Sequence, residues 1–117
     1  MIELKSAKEL ERMKKACRIS AEALKVAQSA LEVGVSTAYV DEKVRKYILS
    51  QGARPTFLHY GGFPKTACVS VNEELIHGIP SRSRIIKGII KITLIMVSLL
   101  GKFILVIFNF SYQIIFS

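Results

Sequence analysis

The sequence predicts an α/β chain of the α+β kind, on three observations. Two amphipathic segments with helix-start signals fill residues 6–51, a short β-branched run follows a stretch broken by Gly and Pro, and residues 88–117 are almost uniformly apolar. The chain has 117 residues, 50% of them hydrophobic, with Lys+Arg 17 against Asp+Glu 9 and a formal net charge of +8. That length allows one modest domain with a single core and excludes a multidomain enzyme or a large barrel. All 9 acids lie between Glu3 and Glu74, whereas residues 88–117 carry only Lys91 and Lys102 as charged groups. Two compositions therefore share one chain.

The first element opens at Ser6-Ala7-Lys8-Glu9. This is a capping box, in which the Ser hydroxyl and the Glu carboxylate three residues on satisfy each other's orphan amides. Leu10, Met13, Cys17, Leu24, Ala27 and Leu31 follow at mostly helical intervals among Lys, Glu and Arg, and Gly34 is placed to stop the run. Met13 and Cys17 read as core residues rather than reactive groups. Ser36 or Thr37 can cap a second helix, with Val40, Val44, Tyr47 and Ile48 on one face and Asp41, Glu42, Lys43, Arg45 and Lys46 outward, ended by Gly52. Asp41 and Glu42 read as solvated partners of the helix dipole rather than as a metal or acid/base pair.

From Arg54-Pro55 onward the pattern changes. Thr56-Phe57-Leu58-His59-Tyr60-Gly61-Gly62-Phe63-Pro64 is aromatic-rich and interrupted by Gly and Pro, which block helix. Ala67-Cys68-Val69-Ser70-Val71 has the β-branched alternation of a strand, and Asn72-Glu73-Glu74-Leu75-Ile76-His77-Gly78-Ile79-Pro80 ends in a turn. Loops set on such a scaffold commonly carry binding residues. His77 alone reads as a turn residue with one satisfied nitrogen, and His59 and Asn72 as structural.

Charge and cysteine usage exclude more than they assign. Lys and Arg are interleaved with acids through residue 87, and the densest basic run, Arg82, Arg84, Lys87 and Lys91, contains no aromatics on which bases could stack. Specific nucleic-acid binding is therefore not expected. Cys17 and Cys68 read as two reduced thiols, and Met1-Ile2-Glu3-Leu4-Lys5 offers no apolar stretch for a signal peptide, so a cytoplasmic location is expected.

Gly61-Gly62-Phe63-Pro64-Lys65, then Cys68-Val69-Ser70-Val71-Asn72-Glu73, then His77-Gly78-Ile79-Pro80 resembles the N-terminal part of bacterial type I methionine aminopeptidases. Leu4-Lys5-Ser6 with Glu9 and Met13, the long helix, Gly34 and the second helix fit the same order, so the resemblance covers about residues 1–87. It implies a pita-bread (creatinase/aminopeptidase-like) fold, here incomplete: N-terminal helices plus the first strands. It also implies removal of the initiator methionine from nascent proteins, which would work near the ribosome, with one or two divalent metal ions as cofactors. By motif position His77 would contact substrate beside the metal site. Tyr60, Phe63 and Cys68 would line the methionine side-chain pocket, and Phe57 falls at a further, more variable pocket position.

The resemblance breaks after Ile85-Ile86-Lys87. The family's ligands are two Asp, one His and two Glu, and an ungapped alignment puts Ile95 at the first Asp. No Asp or Glu follows Glu74 and no His follows His77. No metal site is therefore expected in this chain, because Glu73 and Glu74 point to opposite faces of a strand and two imidazoles lack a third ligand. The expected organisation is a methionine aminopeptidase-like portion, 1–87, and an aberrant apolar tail, 88–117.

Two readings of that tail stand. Residues 92–116 are long enough to span a hydrocarbon core of ~30 Å, giving a membrane-anchored cytoplasmic helical module, but Lys102 falls mid-span at a cost of about 2.5 to 3.5 kcal/mol. The favoured reading is a shifted reading frame near codon 87, because the tail holds Ile, Leu, Phe, Val and Ser but no Ala, Asp, Glu, His, Pro or Arg. Either way, the expected product is an inactive relative of a metallo-exopeptidase.

Overall fold

Ser6 starts the first helix as the capping box requires. Its hydroxyl accepts from the Glu9 amide at 3.2 Å while its own amide donates to the Glu9 carboxylate at 2.8 Å. In the computed structural model, which describes residues 4–56, 58–71, 78–87, 90–95 and 97–98, this helix is α1, Ala7–Ser29. It is followed by α2, Thr37–Ser50, the strand β1, Arg54–Pro55, a 3-10 turn, Tyr60–Gly62, and the strands β2, Ala67–Val71, β3, Ile90–Ile95, and β4, Val97–Ser98.

The buried face of α1 is set by small residues. Ala16, Ile19, Ser20, Ala23, Leu24 and Ala27 are buried, while Leu10 is 47% exposed and Met13 and Cys17 are only half-buried. The apolar stripe expected through Leu10, Met13 and Cys17 is thus rotated toward the alanines, which let α2 approach closely. The helix also stops at Ser29 rather than running to Gly34. Leu31 reaches the core from the turn, and Gly34, at φ 94°, reverses the chain with a backbone that favours glycine.

Ser36 caps α2, its hydroxyl accepting from the Tyr39 amide at 3.2 Å. Val40, Val44 and Ile48 are fully buried and Tyr47 is half-buried, as the spacing predicts. The segment after Pro80 clamps the helix start. Thr37 and Ala38 donate their amides to the carbonyls of Arg84 (2.9 Å) and Ser81 (3.1 Å), and the Ser81 amide donates back to the Thr37 hydroxyl at 2.9 Å. Two bonds between residue 86 and the Gly34–Val35 turn, each 2.8–2.9 Å, complete the clamp. Orphan donors of a helix start are thereby satisfied by a distant piece of chain.

β2 is buried at every residue. It pairs antiparallel with β3, from Ala67 opposite Ile95 to Val71 opposite Ile90, with a register shift between Cys68 and Val69. β1 pairs antiparallel with β4. α1 packs on α2 and meets β3 and β4, while α2 meets β1 and β2, so the helices cover the strands. The core joins Ala16, Ile19, Leu24 and Leu31 to Val40, Val44, Ile48, Val69, Val71 and Ile86. Residues 90–95 and 97–98, expected as part of an aberrant tail, are strands here. Among the described residues no helix is long and apolar enough to cross a membrane. Residues 99–117 lie outside the described residues.

Candidate functional site

Cys68 lies on β2 and Phe63 in the turn before it, and at the start of this strand a carboxylate from α2 fixes the backbone. Asp41 is 5% exposed. Its Oδ1 accepts from the amides of Thr66 at 2.9 Å and Ala67 at 2.8 Å, the two residues that lead into β2. Asp41 is therefore not the solvated dipole partner expected from the sequence; it lies in the second turn of α2 and faces inward. Its position carried a signal: residues 37, 41, 44 and 48 share one helical face, and the other three are buried. Glu42 does point outward, in an i,i+4 ion pair with Lys46 at 2.9 Å.

Burial pushes the Asp41 carboxyl above its ordinary range. The Ala67 and Thr66 amides and the charges of Lys65 and Arg45 pull the other way, without cancelling it. Cys68, the next residue on β2, is buried, and burial together with the Asp41 charge pushes its thiol up to about 11. At neutral pH this sulfur is a protonated, soft and polarisable surface.

The turn before β2 is shaped by left-handed backbone. His59 at φ 68° and Gly61 and Gly62 at φ 56° and 82° fold the chain back, and the His59 amide donates to the Phe63 carbonyl at 2.6 Å. Tyr60 opens the 3-10 turn, and Phe63 follows it, half-buried. On the other side of β2, Gly78 is pinned between strand atoms: its carbonyl accepts from the Val69 amide at 2.9 Å, and its amide donates to the Ser70 hydroxyl at 3.1 Å. Cys68 and Gly78 are thus tied to one strand, with Tyr60 and Phe63 in the turn that precedes it in the chain. His77 and Phe57 lie outside the described residues.

Among the described residues the possible metal donors are dispersed and otherwise engaged. Among the described residues no three of His, Cys, Asp and Glu come together. Asp41 spends Oδ1 on two amides, Glu9 closes the capping box, Glu42 pairs with Lys46, and Cys68 keeps its proton. Position 95, where the motif alignment puts a metal-binding Asp, is Ile, in register opposite Ala67. The β3 sequence, Ile, Lys, Thr and Leu, contains no carboxylate.

The family model for metallopeptidase family M24 matches residues 11–101, and so continues through β3 and β4 beyond the motif resemblance. Over 86 residues the chain is 43% identical to a methionine aminopeptidase of Clostridium acetobutylicum, covering 74% of this chain and 34% of that protein. Over 87 residues it is 44% identical to methionine aminopeptidase 1 of Bacillus subtilis, covering 74% and 35%. The crystal structure of methionine aminopeptidase from Rickettsia prowazekii superposes with a TM-score of 0.75 at 32% identity, over 83% of this chain and 39% of that one. The chain spans about a third of the length of the relatives it matches.

Proposed function

Because this chain belongs to metallopeptidase family M24, we propose that it is the substrate-recognition portion of a methionine aminopeptidase without the metal-binding portion, and that it does not hydrolyse peptides by itself. In this reading Tyr60, Phe63 and Cys68, with Phe57, form the slot for the methionine side chain. His77 contacts the substrate. A protonated thiol and aromatic rings suit a thioether, which is polarisable and needs no charged partner. The substrate class is the amino-terminal methionine of nascent chains, which places the work in the cytoplasm, near the ribosome.

The observation that carries the proposal is the donor set after Glu74. Residues 75–117 contain no Asp or Glu and a single His, so no hard divalent cation can be held where the family holds one, and no water can be activated by it. We assign 1–87 to the peptidase-like portion and 88–117 to a shifted reading frame. The acid-free composition of 88–117 supports this. Resequencing the coding DNA from the codons for Ile85 onward and translating all frames tests that assignment; unbroken in-frame DNA with no family carboxylates in any frame refutes it.

Activity is tested with the full chain and a Met-Ala-Ser peptide in the presence of Mn²⁺ or Co²⁺. The expected result is no release of methionine above the metal-only blank. Release that EDTA abolishes and that co-purifies with the chain would overturn the proposal.

A further inference from the structure

A concave feature adjoins the start of β2 and shares Asp41 with it. A cleft of about 430 Å³ opens between α2 and the two segments that flank β2, and is lined by Asp41, Glu42, Arg45, Lys46, Lys65 and Arg82. Its four cations come from three separate pieces of chain. Arg45 and Lys46 stand on α2, Lys65 precedes β2, and Arg82 sits in the segment that clamps the start of α2. That clamp, through Ser81 and Arg84, holds the Arg82 backbone beside the helix rather than leaving it on a free loop.

The charges do not cancel. Lys46 is matched by Glu42 at 2.9 Å. Asp41 is committed to the Thr66 and Ala67 amides at 2.9 and 2.8 Å. Arg45, Lys65 and Arg82 enter no ion pair among the described residues. Three cations therefore face one cleft against the single charge of Asp41, whose Oδ1 is already turned to the backbone. Converging guanidinium and ammonium groups from independent segments are the arrangement that holds a tetrahedral oxyanion, with Arg offering a two-pronged donor set and Lys a point charge.

We propose that this cleft binds a phosphate-class oxyanion through Arg45, Lys65 and Arg82. The site uses none of Phe57, Tyr60, Phe63, Cys68 and His77 and does not depend on the aminopeptidase reading. The phosphate comes either from a free phosphate compound or from a nucleic-acid backbone. Either source presents the same group to the same cations.

The test measures binding of inorganic phosphate, by amide chemical shifts, and of a 12-nucleotide oligouridine, by fluorescence anisotropy, to the full chain. Three proteins are compared: wild type, the triple variant R45Q/K65Q/R82Q, and a control, K8Q/K14Q/K15Q, that removes the same charge from α1. The single variant R82Q leaves both α2 and the approach to β2 intact and serves if the triple variant does not fold. Expected are shifts at residues 45, 65 and 82, affinity at least about tenfold weaker in the triple variant, and R82Q intermediate. The control should change by less than about twofold.

If oligouridine binds with a salt slope near about −2, as three contacts to single-stranded RNA imply, the source is a nucleic-acid backbone. If inorganic phosphate binds and the oligonucleotide is no tighter, the source is a free phosphate compound. If neither probe binds at millimolar concentration, or the control loses as much as the cleft variants, the cations are ordinary solvated charges and the proposal fails. Because peptide hydrolysis is not read in this experiment, its outcome is independent of the aminopeptidase reading.

Discussion

Asp41 illustrates how one side chain can matter to a site it does not line. Removing its acceptor leaves two buried amides unpaired, at about 1 to 3 kcal/mol each. Asp41→Ala should therefore lower unfolding stability by about 2 to 6 kcal/mol in urea titrations. Asp41→Asn keeps the oxygen and sheds the buried charge, and should stay within about 1 kcal/mol of wild type. The pH dependence separates them further. The folded carboxyl titrates above its ordinary 3.8, so between the two values the folded state holds a proton that the unfolded state has lost. Stability from this group is present at low pH and falls as pH rises through the raised value. Asp41→Asn should abolish that decline; a decline that persists in the variant would assign it to another group.

At the scale of elements, the tightest constraint is the crossing of Gly78 over β2. A Cβ built there would collide with the Val69 carbonyl oxygen and come within 2.8 Å of the Ser70 Cα, both backbone atoms that cannot rotate away. Gly78→Ala should cost about 1 to 3 kcal/mol and speed hydrogen exchange at the Val69 amide, which Gly78 now protects. Unchanged exchange at Val69 would mean that the crossing gives way cheaply.

The same scale shows what a sequence reveals and what it hides. The capping box at Ser6 and Glu9, the Ser36 cap and the Val40–Val44–Ile48 face were legible because each depends on neighbours within a turn or two. The end of α1 was not. Whether Leu31 joins the core from a helix or from a turn is decided by α2, which local spacing does not contain. Asp41 was misread because an acid near a helix start has a familiar surface role, and only the amides of Thr66 and Ala67, 25 and 26 residues away, give it a buried one. Tyr60, Phe63 and Cys68 are grouped only by the motif, since nothing in their local spacing sets them together. The pairing of β2 with β3 has no local signature at all.

For the whole molecule, the nature of the core sets the expectation. Among the described residues the largest fully buried side chains are Ile48, Ile86, Val40, Val44 and Val69, and several alanines join them. Small side chains remove little apolar area from water, at about 25 cal/mol per Å². Leu10, Val33, Leu49 and Ile79 remain 47%, 59%, 51% and 52% exposed. The purified chain should be poorly soluble, with a broad, low thermal transition, and its slowest exchanging amides should lie in α1, α2 and β2. A sharp transition with uniform protection across those elements would contradict this.

The ladder between β2 and β3 carries a final consequence. Its rungs are amides and carbonyls, both of which every residue but proline supplies, so Ile90–Ile95 can dock beside Ala67–Val71 whatever side chains it carries. A backbone ladder thus accepts a strand without reading its side chains, so even a run of residues translated from a shifted frame could complete a sheet, provided that it lacks proline.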